Sequence, residues 1–199
     1  MLCRLVPSIW LRFSCDTPSV WRDDGTTGLG DGSRTEKDSL RVAAMGEVDH
    51  LNAFVGSILC HAEVPAHIRP LLEDVQHELF DLGAELCIPG STRISEEHVV
   101  RLENQLDAIN EHLGRLQDFI LPGGTVAAAQ AHLARTACRN AERALLALSR
   151  QDATVNAPLR RYLNRLSDFL FVVARELNRS AGTSDVLWIQ RKAQTSGNA

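Results

Sequence analysis

The sequence predicts an all-α protein, a five-helix up-and-down bundle. Two observations carry that expectation. Apolar residues recur at i, i+3 and i+4 over five long stretches, and the breaks between them are short and rich in Pro, Gly and Ser. No stretch shows the alternation of a half-buried strand. At 199 residues the chain is long enough for one well-cored domain and short for two.

The first helix is predicted over about 39–61, with Val42, Met45, Val48, Leu51, Val55, Ile58 and Leu59 on one stripe. Pro65 is read as opening the second, about 65–86, because proline suits a first helical turn. Ile88-Pro89-Gly90 ends that region. Ser95 is the expected N-cap of the third helix, about 95–118, where Val99, Leu102, Leu106, Ile109, Leu113 and Leu116 keep near-heptad spacing. Pro122-Gly123-Gly124 breaks the chain before a fourth helix, about 126–149. Pro158 starts a fifth, about 158–179, buried through Leu159, Leu163, Leu166, Leu170, Val173 and Leu177. The organisation read from this is an atypical segment at 1–22, a helical domain at 23–180 and a C-terminal tail at 181–199 anchored by Leu187 and Trp188.

A formal net charge of -4 gives no polycation signature, so nucleic acid is not the expected partner. The five cysteines are scattered without a CxxC pair, which suits a reducing compartment better than a disulfide framework. No run of about 18 apolar residues occurs, so a membrane span is not expected and a cytoplasmic location is. Residues 1–22 differ in composition, with Arg4, Arg12 and Arg22 and no acid before Asp16. A transit peptide, a weak signal core and a doubtful gene start stay open for this segment, which is expected to be poorly ordered.

Two stretches bear on chemistry. The segment 23–38 carries glycines at 25, 28, 30 and 32, in neither a GxGxxG nor a P-loop spacing. It reads either as a flexible turn or as a loop that brings backbone N–H groups close to phosphate oxygens. In the fourth helix, Arg135, Arg139, Glu142 and Arg143 stand at i, i+4, i+7 and i+8 and share one face. Guanidiniums in a row suit a polyanion such as a triphosphate, and equally a solvated, salt-bridged face.

The stretch from His132 to Arg143 lies between Phe119-Ile120-Leu121-Pro122-Gly123-Gly124 and Tyr162-Leu163-Asn164-Arg165-Leu166-Ser167-Asp168-Phe169. Upstream stand Asp23-Asp24-Gly25, Ser33-Arg34, Lys37-Asp38, Val48-Asp49-His50-Leu51-Asn52 and Gln76-His77-Glu78-Leu79-Phe80-Asp81-Leu82-Gly83. In this order the blocks closely resemble the PduO-type ATP:cob(I)alamin (corrinoid) adenosyltransferases, over roughly residues 23–188.

The resemblance implies a bundle that forms homotrimers, with active sites between neighbouring subunits. It implies transfer of the 5′-deoxyadenosyl group of ATP, bound with Mg²⁺, to cob(I)alamin as substrate, giving adenosylcobalamin and triphosphate. Phe119 and Arg139 are then the catalytic residues. ATP falls to Asp23, Gly25, Thr26, Ser33, Arg34, Lys37, Arg139, Glu142, Arg143 and Asn164, with the metal held through the ATP phosphates. Asp49 and Arg135 match an ion pair between subunits, and Phe119 and Phe169 match corrinoid contacts. Phe119 would displace the lower axial ligand, leaving a four-coordinate cobalt(II) that is easier to reduce. Arg165 and Asp168 are expected either to support Asn164 or to form an interhelix salt bridge, and His132 to pack at an interface. A cobalamin reductase and an adenosylcobalamin-dependent acceptor enzyme are the implied partners.

The chain departs from the family at Ser19 to Arg22, where Thr-(Lys/Arg)-Thr-Gly is usual, at His50 for glutamate, and at Asn140 for arginine. An impaired, corrinoid-carrying relative with a degenerate ATP loop is therefore the alternative reading. A di-iron carboxylate protein is a further one, from Glu47-x-x-His50 and Asp74-x-x-His77.

Overall fold

The computed structural model describes residues 24–190. Among these residues it contains a hairpin, β1 (Thr26–Gly28) and β2 (Arg34–Glu36), and five helices: α1 (Leu40–Leu59), α2 (Arg69–Cys87), α3 (Glu96–Asn110), α4 (Val126–Ser149) and α5 (Ala157–Ser180). The expected all-α, five-helix fold is present, with this short hairpin added to it. Strands of three residues, paired antiparallel with Thr27 opposite Thr35, are too short and too polar to show an alternating pattern in sequence.

The helices pack in the spatial order α2, α1, α4, α5, α3. Helix α4 is central, and most of its buried residues are small, among them Ala127, Ala131, Ala134, Ala137, Cys138 and Ala141. Short side chains let two neighbouring helices approach it closely. Larger side chains from the flanking helices fill the core, among them Leu51, Ile58, Leu79, Leu163 and Phe169.

Local chemistry sets the helix ends. The Ser39 hydroxyl accepts from the Val42 N–H and Thr125 Oγ1 from the Ala128 N–H at 3.1 Å. Ser95 caps α3 as expected, with His98 completing the capping box by accepting from the Ser95 N–H. Pro65 does not begin α2. Its carbonyl accepts from Ile68 and Arg69 in a separate turn, and the helix starts at Arg69 with Pro70 in its first turn. The third helix stops at Asn110 rather than near 118. The chain turns there, with Leu113 N–H donating to the Asn110 carbonyl, while Leu113 still packs on the core. Its apolar rhythm outlasts the helix because the following loop lies against the same core.

A buried arginine ties three connections together. Arg41 on α1 donates to the Leu86 carbonyl at the end of α2, to Asp152 Oδ2 at 2.6 Å and to Thr154 Oγ1 at 3.1 Å. Leu187 and Trp188, the residues expected to anchor the tail, lie against the Phe119 turn. Leu121 N–H donates to the Val186 carbonyl at 2.8 Å, and Trp188 N–H to the Phe119 carbonyl at 2.7 Å. Residues 186–188 thus form a strap against the Phe119 turn.

Candidate active site

Arg139 and Glu142 lie one turn apart on α4 and pair at 2.5 Å through Nη1 and Oε2. The second Glu142 oxygen accepts from Asn164 Nδ2 on α5 at 2.8 Å. One carboxylate thereby orients a guanidinium and an amide from different helices, and both remain exposed. Arg143 donates to Asn140 on the same exposed face. Arg165 bridges Glu103 of α3 at 3.0 Å and Asp168 at 2.8 Å, so it joins helices rather than touching Asn164. A groove of about 330 Å³ opens here, lined by Glu103, Glu142, Arg160, Asn164 and Arg165. Donors aimed outward around a concave surface fit an anionic ligand with a polar ring system.

About two turns back along α4 from Glu142 lies a second cavity, of about 620 Å³. Phe119, Ile120 and Pro122 form one side, His132 and Arg135 of α4 another, and Phe171 of α5 a third. Phe119 is 80 % exposed, an unusual state for a large apolar ring. Its neighbours are exposed too: Leu121, Val186, Leu187, Trp188 and Ile189 form one apolar patch with it, and Trp188 stands edge-on to Phe119 at 6.4 Å between ring centroids. A patch of this kind marks a binding surface for a large apolar ligand or a neighbouring subunit.

His132 is 4 % exposed, and neither ring nitrogen has a hydrogen-bond partner. Burial, and then the positive charge of Arg135, push its pKa below the usual imidazole value, so it is neutral at pH 7. Arg135 Nε is likewise buried without a partner. Within the chain no ion pair joins Arg135 to Asp49, which is exposed on α1.

The hairpin is ordered by its own side chains. Asp24 Oδ1 accepts from both the N–H and the hydroxyl of Thr26, and Arg34 reaches Thr26 and Asp24, the latter at 3.3 Å. Ser33 donates twice to Asp31. These bonds hold the Asp24 and Asp31 carboxyls below the usual range. Gly25 accepts from the Lys37 N–H at 2.8 Å, and Gly30 donates to the Cys87 carbonyl at 2.9 Å, which pins the loop to the end of α2. A Cβ on Gly30 would stand 2.8 Å from Ile88, so only glycine permits this approach.

Of the expected residues, the structure joins Arg139, Glu142 and Asn164, and separately places Phe119 with Arg135. Thr26, Ser33 and Arg34 bond within the hairpin. Asp23 and the altered Ser19 to Arg22 lie outside the described residues. Phe169 is corrected: it is fully buried between helices, with no surface to offer a corrinoid, because the helical period turns it inward with Leu166 and Leu170. The di-iron arrangement is absent as well. Among the described residues no group of three or more His, Cys, Asp or Glu is placed to hold a metal ion, and His50 stands exposed beside Glu47.

Sequence reasoning missed Arg175, Asn178 and Asp185. Both ends of the Phe119 loop hang on them. Arg175 Nη2 donates to the Gly114 carbonyl at 2.8 Å; Asn178 accepts from Thr125 N–H at 2.9 Å and donates to the Gly123 carbonyl at 3.1 Å. The available signal was weak, because Arg175 and Asn178 stand among several other polar residues at the end of α5.

A sequence model of the family described as cobalamin adenosyltransferase matches residues 21–177. A cobalamin adenosyltransferase of Cupriavidus metallidurans is 54 % identical over 87 % of this chain and 93 % of its own. A corrinoid adenosyltransferase of Bacillus subtilis is 42 % identical over 82 % of this chain and 87 % of its own. Among solved structures, a variant PduO-type ATP:corrinoid adenosyltransferase from Lactobacillus reuteri, complexed with cobalamin and ATP, superposes with a TM-score of 0.78. It is 33 % identical, over 84 % of this chain and 96 % of that one. No helix of the described residues is long and apolar enough to cross a membrane.

Proposed function

The chain belongs to the cobalamin adenosyltransferase family, and on that premise we propose that it transfers the 5′-deoxyadenosyl group of ATP to cob(I)alamin, giving adenosylcobalamin and triphosphate. The observation that carries this reading is the Glu142 clamp on Arg139 and Asn164, on the same helix as His132 and Arg135, which line the cavity beside the exposed Phe119.

The reaction asks little acid–base work of the protein. The cobalt(I) electron pair attacks C5′ of ATP, a cobalt–carbon bond forms, the C5′–oxygen bond breaks, and the triphosphate leaves with the bonding electrons. Positioning and charge neutralisation are what remain to be supplied. Arg139, fixed by Glu142, faces the triphosphate; Arg143 adds charge beside it; Asn164 holds the nucleoside. Thr26, Ser33, Arg34 and Lys37, with Gly25 and Asp23, serve the phosphates. The hydroxyl and carboxylate oxygens of Thr26, Ser33, Asp24 and Asp31 are donors of the hard kind that Mg²⁺ takes, alongside the phosphates themselves. Magnesium supplies neutralisation of the triphosphate charge.

Phe119 and the apolar strap beside it receive the corrin, and Phe119 excludes the lower axial ligand. The unpartnered Arg135 and the exposed Asp49 pair between subunits of a homotrimer, which completes each site at an interface. A reductase delivers cob(I)alamin, an adenosylcobalamin-dependent enzyme takes the product, and the protein works in the cytoplasm.

The test is anaerobic incubation of chemically reduced cob(I)alamin with Mg-ATP, followed by the corrin absorbance. Adenosylcobalamin is expected, and Arg139→Ala removes it. A protein that binds the corrinoid yet makes no product overturns the transferase reading in favour of a carrier.

A further inference from the structure

We propose that Asp185 is the positioning residue for Phe119, acting through Arg175 and Asn178; this rests on the reading of Phe119 given above. The Asp185 carboxylate takes Arg175 Nε on one oxygen at 2.9 Å and Asn178 Nδ2 on the other at 3.2 Å. Those same two side chains hold the Phe119 loop, Arg175 at the Gly114 carbonyl and Asn178 at Gly123 and Thr125. Asp185 also sits immediately before the strap, whose backbone bonds to Phe119 and Leu121.

The arrangement forms a closed frame. Its two anchors stand one turn apart on α5, a rigid element packed in the core. The Arg175 and Asp185 side chains are only 9 % and 18 % exposed, so their charges meet away from bulk water and the pairing is directional. Gly124 is part of the frame too. It has φ +101°, and a Cβ there would fall 2.1 Å from Asn178 Oδ1. Phe119 itself gains almost nothing from packing, being 80 % exposed. Its placement is therefore set by the backbone that carries it, and that backbone is held by Asp185 and its two partners.

The chemistry explains why placement matters. An aromatic ring that must occupy one face of a flat macrocycle, in place of a ligand, works only at the correct height and tilt; a shift of about 1 Å can cost on the order of 100-fold in rate. Asp185 contacts no substrate in this scheme, and its effect passes entirely through Phe119.

The experiment uses the full chain with cob(II)alamin and Mg-ATP. The readouts are the electron paramagnetic resonance signal of four-coordinate cobalt(II), the turnover with a reductant present, and the KM for ATP. Asp185→Ala is expected to lower the four-coordinate fraction and turnover by at least about tenfold, with the KM for ATP unchanged. In a Phe119→Ala background the same change is expected to cost nothing further, since the residue it acts through is gone. Asp185→Asn keeps an acceptor for Arg175 but turns a donor toward the Asn178 amide, and should fall between; it decides the matter if the alanine variant does not fold. A wild-type four-coordinate fraction in the Asp185 variants overturns the inference, as does an undiminished loss when Phe119 is absent. Phe119→Ala behaving as wild type would instead overturn the Phe119 reading.

Discussion

The Glu142 carboxylate on α4 accepts from the Asn164 amide on α5 at 2.8 Å while its other oxygen holds Arg139 at 2.5 Å. In the proposed reaction, one side chain would thereby couple the residues assigned to the nucleoside and the triphosphate. Glu142→Gln keeps its size but turns one acceptor into a donor, facing either Arg139 or Asn164. The KM for ATP should rise about tenfold, a loss of roughly 1.4 kcal/mol typical of a charged hydrogen bond. Thermal stability should move little, because exposed pairs of this kind contribute about 0–1 kcal/mol. Steady-state kinetics and a melting curve check both halves.

Phe119→Ala separates function from folding. The ring is 80 % exposed, so its removal should change unfolding free energy by no more than about 0.5 kcal/mol. Adenosylation that starts from cob(II)alamin and a reductant should collapse, while chemically prepared cob(I)alamin should still react. A large fall in melting temperature would contradict the placement of this ring.

Gly124→Ala meets the opposite fate. Its positive φ and the 2.1 Å approach to Asn178 Oδ1 leave no room for a methyl group. The cost should be about 2 kcal/mol or more, or roughly 4–8 °C in melting temperature for a chain of this size. Turnover from cob(II)alamin should fall as well, because the frame around Phe119 opens.

Asp152 gives a pH dependence of known sign. Hydrogen bonds from Thr154, and then from Arg41, lower its pKa to about 2. A group whose folded pKa lies below its unfolded value contributes stability above the unfolded pKa, and that contribution is lost as pH falls toward the folded one. Acid unfolding between about pH 4 and pH 2 should therefore be shallower in Asp152→Asn than in the parent, by denaturant titration at each pH.

Tyr162→Phe tests the buried polar contact of the core. The Tyr162 hydroxyl donates to Glu78 Oε2 at 2.5 Å, and Arg101 takes the other oxygen. Burial and nearby charges raise the phenol pKa far above its usual value, so the group stays a donor at any working pH. Losing it leaves a buried carboxylate oxygen short of a partner, at about 1–3 kcal/mol. Activity per folded molecule should not change.

The bundle was legible in the sequence to different depths. Helix α4 begins at Val126 and ends at Ser149, as its pattern predicts, because Thr125 and the preceding glycines act locally. Helix α3 was overrun, since Leu113 and Leu116 continue the apolar rhythm past its end and Leu113 still packs on the same core. The hairpin escaped notice because three-residue strands carry no periodic signal. Phe169 was misplaced because a motif match says which residues are shared, and only packing says which way each one points.

By itself the sequence determined the number and order of the helices, the shared face of Arg139 and Glu142, and the family. Those follow from interactions between residues a few positions apart, or from motifs in fixed order. Tertiary structure alone decided that Glu142 reaches Asn164, that Phe119 is exposed beside a cavity, and that Asp185 closes a frame around its loop. Each of these joins segments distant along the chain, and such partners are chosen by how helices pack, not by any local preference of the residues themselves.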